Sequence, residues 1–480
     1  GSSVKGILRQ KTNEAGFIGT SVEWVFASKA NLILNNTKNK DIKTWTEEIV
    51  LIDLNLIREN PEKVREALLK KNYVADFTKL LAWDAERRET IARTEELKAR
   101  KNRVSEEIPQ LKKNGADVAG LIAEMKSIGE EIKKNDDIIR ELENSISTFL
   151  SELPNMPSDD VLPGGKENNE VIRVWGEKPS FGFPAKNHVE LVESLGLVDY
   201  ERGAKLGGNG FWLYTGDGAR LEWALLNYFI EEHLKDGYEF ILPPHILAWK
   251  CGYTAGQFPK FTGDVFQLKP EEGKGYEQFL LPTAETALVN MHRDEILDEG
   301  ELPRKYFSYT PCYRKEAGSY RAEERGMIRG HQFNKVEMVQ YTLPENSGEA
   351  LDELVHKAES LVRGLGLHYR VSKLAAADCS YSMAKTYDIE VWIPSMNDYK
   401  EVSSASNAKD YQARRGNMRF RRKGSKKLEF VHTLNASGLA TSRLIPAIAE
   451  QFQQEDGSVP VPEPLRKWMG KDRLYGDKCI

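Results

Sequence analysis

Tyr313-Arg314-Lys315-Glu316-Ala317-Gly318, followed by His331-Gln332-Phe333-Asn334-Lys335-Val336-Glu337, decides the reading of this chain. The two segments are short, flanked by apolar residues and joined by a charged loop. Together they carry a guanidinium, an aromatic ring and two carboxylates. Those groups suit a nucleoside triphosphate and an amine: a planar fork for a phosphate, a ring for a base, an acid for the amine. A second isolated arginine, Arg443, follows the polar string His432-Thr433-Leu434-Asn435-Ala436-Ser437-Gly438. No Gly-x-x-x-x-Gly-Lys-Ser/Thr loop is present, and Gly207-Gly208-Asn209-Gly210 lacks the strand and helix context of a dinucleotide fingerprint. Arginines on strands must then hold the nucleotide, in place of a glycine loop at a helix N-terminus.

Outward from this stretch, strand-like runs appear at Phe240-Ile241-Leu242, Phe279-Leu280-Leu281, Val336 to Val339, Ile389 to Ile393 and Phe430-Val431-His432. Helical periodicity appears at Leu221, Leu225, Tyr228 and Phe229. Strands separated by loops and irregular helices predict an α+β domain on a mostly antiparallel sheet, over residues 171–480.

Upstream, Asn60-Pro61-Glu62 predicts a helix with Asn60 as N-cap and Pro61 at its first position, running to about Lys71. From about Asp76 to Glu152 the chain is highly charged with sparse apolar residues. Val118, Leu121, Met125, Ile128, Ile132, Ile139, Leu142, Ile146, Phe149 and Leu153 alternate three and four apart, missing only at Asn135. That is the seam of a coiled coil. Leu97, Val104, Ile108 and Leu111 keep the beat more loosely, and Lys112-Lys113-Asn114-Gly115-Ala116-Asp117 is a helix stop and start. The pattern predicts an antiparallel helical hairpin about 50 Å long, with Pro109 kinking its first helix.

Arg87, Arg88, Arg93, Lys98 and Arg100 cluster on the first helix, a stripe suited to a phosphate backbone. On the pattern alone, a dimerisation or spacer coiled coil is the plainer reading of the arm. Residues 51–153 thus form one unit and 154–170, rich in Pro, Gly and Asn, a linker. Residues 1–50 are an appendage without clear periodicity.

The 480 residues carry a net charge of −5, so any nucleic-acid partner must meet a local basic surface. No apolar stretch reaches the ~20 residues of a membrane span, which excludes a spanning role. Cys251, Cys312, Cys379 and Cys479 are scattered, with no metal or disulfide spacing, and a reduced, cytoplasmic setting is the expectation.

Gly237-Tyr238-Glu239-Phe240-Ile241-Leu242-Pro243-Pro244, the Arg314 to Glu337 region and Asn435 to Arg443 resemble, in order, the three signatures of class II aminoacyl-tRNA synthetases. Thr283-Ala284-Glu285, Glu401-Val402-Ser403-Ser404, Asp410 to Arg415 and the helical hairpin are similar to features of the seryl-tRNA synthetase family. The resemblance implies ATP-dependent activation of L-serine, its transfer to serine tRNA held by the arm, and a homodimer with an interface at Gly237–Pro244. It implies Arg314 on the α-phosphate, Phe333 stacked on adenine with Lys315 and Glu316 nearby, and Arg443 on the terminal phosphates. Glu401 and Ser404 look like ligands of Mg2+ and nucleotide, with Val402 and Ser403 between them. Thr283, Ala284, Glu285, Arg314, Glu337, Asn435 and Ser437 look like the serine pocket.

Taken singly, several of these residues fit plainer roles. Thr283-Ala284-Glu285 also reads as a helix start, Glu337 as a partner of Lys335 or of a cross-strand arginine, and Ser403 and Ser404 as turn residues. The segment Ser319 to Gly326 departs from the family pattern, with Ala322 and Glu324 where arginine and threonine are usual. That loop approaches the tRNA acceptor end in this class. The same residues therefore also fit a relative that adenylates an amino acid for another acceptor, or an RNA-binding relative without catalysis.

Overall fold

The computed structural model describes residues 52–269, 277–316 and 326–476. The expected appendage at 1–50 and the Ala322 and Glu324 departures lie outside them.

The N-terminal part is helical. Asp53 accepts a hydrogen bond from the Asn55 amide and caps α1 (Leu54–Glu59). Asn60 caps α2 (Pro61–Leu69) through the Lys63 amide at 3.1 Å, as the sequence predicts. Two long helices follow, α3 (Thr78–Lys113) and α4 (Ala119–Ser151), reversed at Asn114-Gly115. Gly115 takes φ +73°, a left-handed conformation that favours glycine at a helix stop. Pro109 lies inside α3, which continues through it to Lys113. Asn135, the gap in the apolar pattern, is buried at the seam with Ile128 and Leu142. At the hairpin's root, Ile57, Val64, Leu68, Phe77, Leu80, Ile146, Leu150 and Leu153 close a separate apolar core.

The C-terminal part is built on an eight-stranded sheet. Its strands are β1 (Glu170–Trp175), β2 (Glu239–Phe240), β3 (Arg304–Tyr313), β4 (Gln332–Thr342), β5 (Tyr369–Lys373), β6 (Lys385–Ile393), β7 (Asp398–Lys409) and β8 (His432–Ala440). The order is β1-β5-β6-β7-β8-β4-β3-β2, and every pair is antiparallel except β2 with β3. Helices α5 (Gly216–Lys235), α6 (Ser347–Gly364) and α7 (Thr441–Phe452) cover one face. Val336 and Met338 of β4, Ile389 and Val391 of β6, Ala405 of β7, and Leu434 and Ala436 of β8 point into that core. Because side chains alternate along a strand, the residues between them face the other way, and these are the polar ones.

The run Phe430-Val431-His432 is not one strand. Leu428–Phe430 pairs with Arg419–Arg421 in a small hairpin, and the large sheet begins at His432. Glu170, expected as linker, opens β1. Among the described residues no helix is long and apolar enough to cross a membrane.

Candidate active site

The open face of the sheet carries the site. On β4, Phe333, Lys335 and Glu337 recur every second residue and so project together. The register sets Lys335 opposite Thr310 and Glu337 opposite Ser308 of β3, and Glu337 opposite Ser437 of β8. Glu337 is 1% exposed and ion-paired to Lys335. Asn435 Nδ2 donates to Glu337 at 3.1 Å, and Ser437 Oγ reaches its other oxygen at 3.5 Å. Lys335 Nζ also donates to Thr283 Oγ1 at 2.8 Å. Pairing with Lys335, the plainer reading of Glu337, is thus realised inside the predicted pocket.

Thr283 precedes the one-turn helix Glu285–Leu288, and its hydroxyl accepts from the Glu285 amide at 3.3 Å. Helix start and pocket residue therefore coincide. Glu285 accepts from Gln412 Nε2 at 2.8 Å, while Gln412 Oε1 accepts from Thr433 Oγ1 at 2.7 Å. Burial, then the Glu337 charge, raises the Glu285 carboxyl from 4.5 to about 7; Gln412, Lys335 and Arg314 oppose that shift. The Lys335 ammonium, ion-paired to Glu337, offsets part of the repulsion between the two acids.

Thr283, Glu285, Arg314 and Glu316 line one cavity of about 400 Å³ with Gln257, Arg329 and residues 380–383. Arg314 Nε donates to Pro282 O at 3.2 Å, and its guanidinium lies 5.3 Å from the centre of the Phe333 ring. Glu316 takes φ +48° and accepts from Arg329 at 2.5 Å.

A second cluster sits along the sheet on β6, β7 and the start of α7. The β6–β7 ladder shifts register at Ile389/Glu390, so that Glu390 faces Glu401 while Asp388 faces Ser404. An inserted residue in one strand changes which face its neighbours point to. Residues 401 and 404, three apart, share the open face for that reason. Ser404 Oγ donates to Asp388 Oδ1. Burial, then the Glu401 charge, raises the Asp388 carboxyl well above its ordinary value. Arg443 Nη1 donates to Glu401 O at 2.7 Å and lies 3.6 Å from its carboxylate, while Arg443 Nε donates to Ile328 O at 3.0 Å. Ile328 adjoins the cavity-lining Arg329, which connects the two clusters.

Several expected residues sit elsewhere. Val402 packs into the core under the helices, and Ser403, fully buried opposite Ile389, donates to Ser437 O at 2.6 Å. Of Glu401 to Ser404, only the two end side chains face the site. Ala284 belongs to an apolar cluster with Phe258 and Phe279, and the Lys315 side chain is exposed, outside the cavity. The arm's five basic candidates all make ion pairs within the hairpin. Arg87 and Arg88 converge on the buried Asp84, and Lys98 meets Glu95. Arg93 and Arg100 cross to Glu131 and Glu124 of α4.

Lys335 entered the sequence reading only as a partner for Glu337, and Gln412, Gln257 and Arg329 had no assigned role. For Lys335 the signal was available, since it alternates with Phe333 and Glu337. The others depend on tertiary contacts.

The sequence reading put the arginines on strands, whereas Arg314 follows the end of β3 and Arg443 stands in the first turn of α7. An open-faced antiparallel sheet, with a ring on one strand, an arginine just past the end of its neighbour and no glycine loop, defines the core of a class II aminoacyl-tRNA synthetase. The family model of the tRNA synthetase class II core domain (G, H, P, S and T) matches residues 266–452, and that of the seryl-tRNA synthetase N-terminal domain matches residues 51–157. The chain is 65% identical to serine–tRNA ligase 2 of Clostridium acetobutylicum over 88% of its own length and 100% of that relative. It superposes on the crystal structure of the Pyrococcus horikoshii seryl-tRNA synthetase complexed with ATP with a TM-score of 0.84 and 34% identity. That match covers 89% of this chain and 100% of the other. The cytoplasmic serine–tRNA ligase of Naegleria fowleri in complex with AMP matches with a TM-score of 0.78 and 30% identity, over 89% and 99%. The chain belongs to the seryl-tRNA synthetase family.

Proposed function

We propose that this protein activates L-serine with ATP to seryl-adenylate and transfers the seryl group to the 3′ end of serine tRNA. The observation that carries this reading is the continuous network Thr283–Lys335–Glu337–Asn435/Ser437, which reaches at Thr283 the cavity that Glu285 and Arg314 also line. A cavity whose walls are hydrogen-bonding groups rejects a substrate lacking the matching hydroxyl, because its buried partners stay unpaired. Glu285 and Glu337 supply negative charge for the substrate ammonium. Arg314 holds the α-phosphate while the serine carboxylate attacks it, a step that needs positioning and charge stabilisation and no protein nucleophile.

Phe333 stacks on adenine, Glu316 borders it, and Arg443 meets the terminal phosphates. Glu401 and Ser404 are the residues that would hold Mg2+, which neutralises phosphate charge when bound. The fit rests on the chemistry of the donors: the Glu401 carboxylate and the Ser404 hydroxyl are hard oxygens that share the open face of β7, beside Asp388. Among the described residues no group of three or more His, Cys, Asp or Glu is set to hold a metal; magnesium characteristically takes one or two carboxylates and completes its shell with phosphate and water.

Residues 51–153 serve as the tRNA-binding unit, and 154–169 link them to the catalytic unit, which opens with β1 at Glu170. Trp223, Leu234 and Leu242 are each more than half exposed on α5 and the segment after it, and support a homodimer across that surface. Three free thiols, Cys251, Cys312 and Cys379, support a reducing cytoplasm as its setting.

Replacing Arg314 with Ala tests the assignment. Serine-dependent exchange of pyrophosphate into ATP should fall by roughly 10³-fold, and near-normal exchange would defeat it. Acceptance of labelled serine by tRNA, measured on filters, tests the transfer step separately.

A further inference from the structure

One wall of the cavity is an irregular loop between β5 and β6, tied to the sheet at its ends by Leu374 N–H to Thr386 O at 3.0 Å and Ala384 N–H to Asn407 O at 2.8 Å. Ser380, Tyr381, Ser382 and Met383 face the cavity. Carbonyls outside a strand ladder need other donors, and along this loop, exposed at Ser380 and buried from Ser382, they come from the N-terminal part of the chain. Lys71 Nζ donates to Ser380 O at 2.9 Å, Tyr381 O at 3.3 Å and Met383 O at 2.7 Å. The Asn155 amide donates to Tyr381 O at 2.9 Å, its Nδ2 to Ser382 O at 2.8 Å, and the Ser158 amide to Ala384 O at 2.9 Å. Five consecutive carbonyls therefore accept from residues 71, 155 and 158. The Tyr381 hydroxyl in turn donates to Glu152 O.

These donors flank the helical hairpin on both sides. Lys71 precedes α3 by seven residues, and Asn155 follows the end of α4 by four. The root core of Leu68, Phe77, Leu80, Leu150 and Leu153 makes the two flanks one rigid piece. An ammonium has three protons, and Lys71 places all three on the loop. Burial lowers its pKa to about 8.

We infer that Lys71 is a positioning residue for the amino-acid pocket, and that the root of the arm forms the outer support of that pocket's wall. This deepens the proposed function and rests on its reading of the cavity as the serine site. It also makes the coupling reciprocal: whatever displaces the root of the arm alters serine affinity, and serine alters the root.

The test compares Lys71→Met, which keeps the stem and removes the three donors, with Tyr381→Phe, which removes one hydroxyl and keeps the ring. KM for serine and KM for ATP are measured separately in pyrophosphate exchange, alongside the thermal midpoint of each variant. The expected result is a serine KM raised at least tenfold in Lys71→Met and about threefold in Tyr381→Phe, with the ATP KM within twofold of wild type. A purely structural role would reduce the amount of active enzyme and leave the KM ratio alone. If Lys71→Met does not fold, Tyr381→Phe decides. A wild-type protein silent with serine would sink the reading of the pocket. An active wild type with an unmoved serine KM in the folded variants, or with both KM values rising together, would sink this inference alone.

Discussion

Glu285 is the residue whose surroundings set folding against function most clearly. In the unfolded chain its carboxyl ionises near 4.5; in the folded protein, burial and the Glu337 charge hold it at about 7. The protonated form therefore contributes stability that is fully present below about pH 4.5 and is lost as pH rises through about 7. A bound ammonium favours the ionised form, so serine affinity should rise over the upper part of the same window. We expect Glu285→Gln to raise the thermal midpoint at pH 8, by at most about 3 kcal/mol of stability. It should also raise the serine KM by two orders of magnitude and flatten its dependence on pH between 6 and 8. Calorimetry at pH 5 and pH 8, paired with exchange kinetics, checks both halves. Equal destabilisation at the two pH values would show that Glu285 is a structural partner of Gln412 only.

Among the elements, the hairpin was the most legible in sequence and the site strands were partly so. A three-four apolar alternation over thirty residues has few other solutions, and even its gap was informative. Asn135 is buried at the seam, and its Nδ2 has no hydrogen-bond partner. A lone polar residue at such a position fixes register at a cost in stability. Asn135→Leu should therefore stabilise the hairpin by about 1–2 kcal/mol and leave serine-dependent exchange unchanged, as read by guanidinium unfolding followed at 222 nm. No gain in midpoint would mean that the amide is satisfied there.

The sheet was harder to read because its strands are buried on one face and polar on the other for functional reasons. The switch between two sheets at Val431, the register shift that aligns Glu401 with Ser404, and the interhelical pairing of Arg93 and Arg100 all depend on partners distant in sequence. The wall at 380–383 could not be read at all, since its donors Asn155 and Lys71 lie 227 and 309 residues from the carbonyls they hold. Arg314, Glu337, Asn435 and Ser437 stood out as candidates because each sits in a short segment with its own chemical signature. Lys335 was missed for the opposite reason: its charge read as a strand's ordinary partner for Glu337.

For the whole molecule, the arm has two parts with separable consequences. Its root closes the pocket wall, whereas its outer length contributes no residue to the cavity lining. The ion pairs along it, Arg93 with Glu131 and Arg100 with Glu124, are exposed and individually weak, so their arginines can turn to phosphates at little expense. A chain lacking residues 95–129, with Thr94 joined to Glu130 through a short turn, keeps Lys71, Asn155 and the root core. It should carry out serine-dependent pyrophosphate exchange within about twofold of the intact protein. Charging of serine tRNA should fall at least 100-fold, and the steep salt dependence expected of a phosphate-contacting surface should flatten with it. Charging that survives the deletion would move the tRNA contact to the catalytic unit, and exchange that fails with the root intact would show that the outer hairpin, too, supports the pocket.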